Sequence, residues 1–171
     1  MKTNKNLVLI GMMGSGKSTL GYMIAKKLNL TFIDIDRKIE EIEMMSIPKI
    51  FKKYGEKHFR IVEEKITSEI LKKNSLSVVS LGGGAFLNKK IQDIVLKKNI
   101  SFWLKWKNTS IIKRLKNYSK RPVLKNMNNE KLINLIDQRS KIYSKADYTI
   151  ECDNLEKFEI INEIIEIYET K

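Results

Sequence analysis

Residues 11–18 read Gly11-Met12-Met13-Gly14-Ser15-Gly16-Lys17-Ser18 and fit the pattern G-x-x-x-x-G-K-[ST]. An apolar run, Leu7 to Ile10, precedes them, and Leu20, Met23, Ile24 and Leu28 follow at the i, i+3, i+4, i+8 spacing of a helix face. A strand, a glycine-rich turn and a helix in that order make a phosphate cradle. Glycines let successive backbone N–H groups converge on an anion, and the helix adds its positive N-terminal end at the same point. Gly14, Ser15, Gly16, Lys17, Ser18 and Thr19 are therefore expected to bind the phosphates of a nucleoside triphosphate. Lys17 would reach the β- and γ-phosphates, and the Ser18 hydroxyl would ligate a bridging Mg²⁺.

The chain of 171 residues is long enough for one core without disulfides, so residues 1–171 are expected to form a single domain. Its one cysteine, Cys152, has no internal partner, which points to a reducing compartment and an ordinary thiol. No run is apolar enough to span a bilayer, and Met1 to Asn6 lead into the phosphate cradle, so the expectation is a cytoplasmic protein without a membrane partner. The net charge is +13, with residues 151–171 at −5 and residues 1–150 at +18. A polyanion binder should show interleaved aromatics or a recognition helix, and neither appears as a pattern. The expectation is therefore no nucleic acid, a solvated basic surface, and a field that draws in small anions.

The pattern alternates. We read strands at 5–10, 31–34, 76–80, 100–105 and 147–151, and helices at 16–28, 36–44, 47–54, 56–73, 88–98, 108–116, 129–145 and 155–169. Short apolar strands such as Ser77-Val78-Val79-Ser80-Leu81 suit a parallel sheet covered on both faces. The fold class is α/β, three-layered and doubly wound.

Ligands in such sheets sit beyond the carboxyl ends of the strands. Asp34 and Asp36 lie there, two residues apart on one side of an extended segment: either one serves a metal and the other an acceptor, or Asp36 caps the next helix. Arg60 lies beside the apolar stripe of Phe59, Val62, Ile66 and Ile70. It either pairs with Glu63 at i+3 or offers a fork to a substrate carboxylate. His58 reads as an exposed helix residue. Gly82, Gly83 and Gly84 end the third strand, where backbone can approach a ligand closely. Trp103 and Trp106 read as packing residues. Lys113 to Lys125 is basic, and Pro122 keeps Arg121 out of helix, so an arginine is presented from a loop able to close over phosphates. Arg139 precedes Tyr143 by four residues on a helix that could face the same cleft.

Taken together, GMMGSGKST, FIDID, GEKHFRIVE, SLGGGA, KRPVL and RSKIY, in this order and at these separations, resemble shikimate kinase over nearly the whole chain. The resemblance implies a P-loop, nucleoside-monophosphate-kinase-like fold with strand order 2-3-1-4-5, an acceptor-binding region about residues 34–63 and a short lid about residues 113–126. It implies use of ATP and Mg²⁺ to phosphorylate the 3-hydroxyl of shikimate; a monomer is the default expectation. Lys17 and Ser18 would serve phosphate and metal, with Asp34 near the metal. Asp36 would engage the acceptor hydroxyls, Arg60 and Arg139 would hold the carboxylate, Gly82 to Gly84 would line the ring, and Glu63 would orient Arg60. Arg121 would be the lid arginine and Arg114 would lie along the adenine. The chain departs from the family pattern at Val123 and is acidic near Asp153 and Asn154, so that half of the adenine pocket stays unassigned. The alternatives are a gluconate or nucleoside monophosphate kinase and a nucleic-acid-stimulated ATPase; a base-reading N-K-x-D element of a GTPase is absent.

Overall fold

The computed structural model describes residues 3–73, 75–115 and 128–171. Parallel strands β1 (Leu7–Ile10), β2 (Thr31–Asp34), β3 (Ser77–Ser80), β4 (Ile100–Lys105) and β5 (Tyr148–Glu151) form one five-stranded sheet in the order β2-β3-β1-β4-β5. Helices α1 (Lys17–Leu28), α2 (Ile35–Glu43), α3 (Ile47–Lys72), α4 (Lys89–Lys98), α5 (Asn108–Leu115), α6 (Asn129–Tyr143) and α7 (Lys157–Glu169) follow or connect the strands.

Successive residues of a strand point to opposite faces, so a strand covered on both sides must be apolar throughout. β1 is: Val8 and Ile10 pack under α3, α4 and α6, while Leu7 and Leu9 pack under α1 and α7. Those are the three expected layers. Among the described residues no helix is long and apolar enough to cross a membrane.

Element ends depart from expectation for identifiable reasons. α7 begins at Lys157, two residues late, because Glu156 N–H bonds the Glu159 carboxylate at 2.6 Å. The two helices expected at 47–54 and 56–73 both form within α3, which breaks between them at Gly55 (φ 80°). A 3₁₀ turn at Ala85–Leu87, not expected, carries the chain from the glycines to Asn88, whose side chain accepts from Lys90 and Ile91 N–H and caps α4. The expected lid falls largely on residues 116–127, outside the described residues.

At the amino ends of the strands, buried Asn6 joins three of them. Its Oδ1 accepts from the Ser77 N–H and hydroxyl, both at 3.1 Å, its Nδ2 donates to Asn99 Oδ1 at 2.8 Å, and its carbonyl accepts from Ile100 N–H. Asn6→Ala keeps the Ile100 bond but removes the side-chain bonds to Ser77 and Asn99, at a cost of about 2–4 kcal/mol. Urea unfolding should show a lower midpoint at unchanged slope. Because the strand ends opposite carry the clefts, activity per folded molecule should stay at the wild-type value.

Candidate active site

The loop after β1 turns through Gly14 (φ 78°) and Gly16 (φ 94°), left-handed conformations that an L side chain resists. Gly16 is the N-cap of α1 and offers no side chain to its first N–H groups, and that first turn holds no acid. The result is a ring of backbone donors facing one point. Lys17, 8% exposed, curls over the loop, with Nζ 2.8 Å from the Gly11 carbonyl and 3.0 Å from that of Met12. Arg114 Nη1 comes within 3.4 Å of the Gly14 carbonyl.

Asp34, at the end of β2, is the cap of α2: its Oδ1 accepts from Arg37 N–H at 3.3 Å. Capping by Asp36 is thereby corrected. An N-cap residue must keep extended φ/ψ while its side chain folds back, which Asp34 does and Asp36, already in the first helical turn, does not. The other Asp34 oxygen takes a hydrogen bond from Ser18 Oγ at 2.5 Å. These two hard oxygen donors fit a small divalent cation shared with phosphates and water. No group of three or more His, Cys, Asp or Glu suited to a metal occurs among the described residues, so an all-protein cage has no candidate there.

Asp36, which does not cap the helix, lines two clefts. One runs along the loop past Lys17, Ser18, Thr19 and Asp34. The other is walled by Ile47, Phe51 and Phe59 on its apolar side and by Arg60, Glu63, Gly84 and Arg139 on its polar side. Met13, Asp36 and Gly83 belong to both, and there the clefts meet.

Of the two expected readings of Arg60, the ion pair with Glu63 is present. Its Nη1 bonds Glu63 at 2.7 Å, and its Nε and Nη2 bond Glu56 at 3.2 and 3.0 Å. A guanidinium has five N–H groups, so hydrogens on the Nη1 and Nη2 terminus remain for an anion. Glu63 is 2% exposed. Burial pushes its carboxyl up, Arg60 pulls it back, and nearby Asp36 adds to the rise. Burial works against the Arg60 charge, but Glu63 and Glu56 overcome it and hold that pKa above its ordinary value.

Side chains crowd the outer two of the three glycines, and Gly83 is tight against the Met13 backbone. A Cβ on Gly82 would sit 2.7 Å from Glu63 Oε1 and 2.8 Å from Asp36 Oδ1, and one on Gly84 would sit 2.6 Å from Arg60 Nη1. The Gly83 carbonyl accepts from Arg139 Nη1 at 3.1 Å and from the Tyr143 hydroxyl. Arg139 is 5% exposed, and its Nε has no partner among the described residues.

Of the expected site residues, Lys17, Ser18, Thr19, Asp34, Asp36, Arg60, the glycines and Arg139 thus gather at one rim, and Arg114 joins the loop. Arg121 lies outside the described residues. Glu56 and the Tyr143 hydroxyl are site groups that the sequence reading misses. Glu56 stands at i−4 from Arg60, a spacing that could reveal it.

Comparison with known proteins decides the family. The family model described as shikimate kinase matches residues 13–169. The chain belongs to the shikimate kinase family. A shikimate kinase of Bartonella quintana is 43% identical over 84% of this chain and 69% of its own length. One of Thermodesulfovibrio yellowstonii is 39% identical over 96% and 95%. The solved shikimate kinase of Acinetobacter baumannii, in complex with shikimate, superposes with a TM-score of 0.90 at 31% identity, covering 97% of this chain and 93% of that one. The parallel order β2-β3-β1-β4-β5 is the one that resemblance to shikimate kinase implies.

Burial raises the Tyr143 hydroxyl to about 12 from an ordinary 10. The folded state therefore favours the neutral phenol: this stabilisation is fully present below pH 10 and is lost as pH rises through 12. It amounts to about 3 kcal/mol at most. Tyr143→Phe should be less stable than wild type at pH 8, by about 1 kcal/mol for the lost hydrogen bond. The gap in urea midpoints should close and reverse between pH 10 and 12; a gap constant across that range would refute the assignment.

Proposed function

We propose that the chain transfers the γ-phosphoryl group of ATP to the 3-hydroxyl of shikimate through the two clefts that meet at Asp36. The observation that carries this reading is their junction: a phosphate loop on one side, a carboxylate-matching pair of arginines on the other, and an acid between them. Phosphoryl transfer asks for alignment and charge stabilisation more than for covalent chemistry.

In this reading the backbone of residues 11–16 holds the triphosphate, and Lys17 exchanges its hold on the Gly11 and Met12 carbonyls for phosphate oxygens. Ser18 and Asp34 would hold Mg²⁺, whose charge would stabilise the negative charge of the transferring phosphates. Arg60 and Arg139 hold the acceptor carboxylate, with Glu63 and Glu56 fixing the Arg60 guanidinium and Gly83 fixing Arg139. The ring packs between Phe59 and the glycines, where it excludes water. Asp36 then receives the acceptor hydroxyl and directs its oxygen toward the phosphate cleft. Arg114 lies along the base, and Arg121 supplies charge to the transferring group. The protein acts as a cytoplasmic monomer of one domain on two small anions, without nucleic acid.

ADP release from ATP and Mg²⁺ should require shikimate, with 3-phosphoshikimate as product, and should ignore gluconate, AMP and polynucleotide. Release driven by any of the latter instead would overturn the acceptor assignment. Arg60→Ala should raise KM for shikimate about 10- to 100-fold, the worth of a lost charge-assisted pair, while KM for ATP stays put. Asp36→Asn should lower kcat about 10²- to 10⁴-fold at near-normal KM for ATP. Wild-type turnover in that variant would remove Asp36 from the acceptor site.

A further inference from the structure

Trp106 follows β4 at the edge of the phosphate loop, and the sequence reads it only as a packing residue. Its surroundings are more specific. The Arg114 guanidinium lies 3.5 Å from the centroid of its ring, a face-on cation–π contact. Its indole N–H, a donor with a single hydrogen to give, bonds the Ser15 carbonyl of the phosphate loop at 3.0 Å. Arg114 reaches the Gly14 carbonyl on the same loop, and its neighbour Leu115 packs so close that a Cβ on Gly14 would sit 3.2 Å from it.

Beside this stack runs a cleft lined by Trp106, Ser110, Lys113, Arg114 and Asp153. Asp153 gives it a fixed floor: one carboxylate oxygen accepts from Ser110 Oγ and the other from Lys107 N–H, each at 2.5 Å. The end of β5 is thereby tied to the start of α5, and α5 carries Arg114.

We propose that Trp106 is a positioning residue for ATP. Covered on one face by the indole, the Arg114 guanidinium presents its other face to the cleft, where the base stacks while the loop holds the phosphates. The indole N–H sets the distance between the two subsites, because it anchors the stack to the loop itself. Arginine has many rotamers, and fixing one before binding removes that ordering cost from the ATP complex. The proposal rests on the reading that Arg114 lies along the base.

The test uses steady-state kinetics of the full chain with Arg114→Ala, Trp106→Leu, Trp106→Phe and the double variants. Arg114→Ala and Trp106→Leu should each raise KM for ATP about fivefold while KM for shikimate moves less than twofold. Trp106→Phe, which keeps a ring face and loses the N–H, should fall between. Combining either Trp106 variant with Arg114→Ala should add little, because both remove one stack. An unchanged KM for ATP in Arg114→Ala would defeat the base-site reading underneath. A raised value there with wild-type behaviour in both Trp106 variants, or with fully multiplicative doubles, would defeat the role of Trp106 alone. A packing role would shift the melting temperature and leave the two KM values in their wild-type ratio. If Trp106→Leu does not fold, the Trp106→Phe and Arg114→Ala cycle separates the same outcomes.

Discussion

Two carboxylates and two guanidiniums share one cleft because the chain leaving β3 has no side chains to keep them out. Glu63 and Asp36 stand against Gly82, Arg60 against Gly84 and the backbone of Met13 against Gly83, all at distances a Cβ would violate or strain, and Arg139 packs on Gly83 at ordinary contact distance. A glycine ordinarily weakens the structure around it through the entropy of the unfolded chain. Three in a row at the end of a central strand mean that close approach outweighs that loss. The same segment also contributes structure, since the Gly83 carbonyl takes hydrogen bonds from both Arg139 and Tyr143.

That closeness creates an electrostatic dependence. Glu63 is buried far enough that its carboxylate would not survive alone, and Arg60 compensates it at 2.7 Å. Removing one partner of such a pair leaves an unpaired buried charge, a loss of about 3–5 kcal/mol that far exceeds the net worth of the pair. Glu56 differs: its side chain is 60% exposed, so its bond to Arg60 contributes little to stability and serves mainly to limit where the guanidinium points. One arginine is thus held by a partner that sets its charge environment and by another that sets its direction.

The fold is legible in the sequence because its signals are local. Apolar strands at β1 and β3, the glycine-lysine motif between β1 and α1, and the helix face of Leu20 and Ile24 each announce themselves over a few residues, and the parallel arrangement follows from alternation. The site residues are legible as types: two acids after β2, an arginine beside an apolar stripe, three glycines. Their assignment is not, since capping by Asp34 instead of Asp36 turns on backbone angles that no residue pattern displays. Arg60 stands in sequence between an ion pair and a substrate fork because spacing alone cannot choose, and the structure shows the ion pair with Glu63. Tyr143 and Trp106 escape for a different reason. Their polar atoms bond loop carbonyls 60 and 91 residues away, and a contact of that range has no periodicity to betray it.

The charge of the chain bears on this site. Within the candidate site the cations are drawn inward, with Lys17 and Arg139 at 8% and 5% exposure. Buried cations can neutralise a small anion that enters whole. Both proposed substrates are such anions, and both must desolvate to reach Asp36. A net charge of +13 on the chain favours the approach of small anions within about a Debye length and leaves discrimination to the few groups that touch them. On that division the lysine-rich exterior governs encounter, and the glycine-lined cleft governs choice.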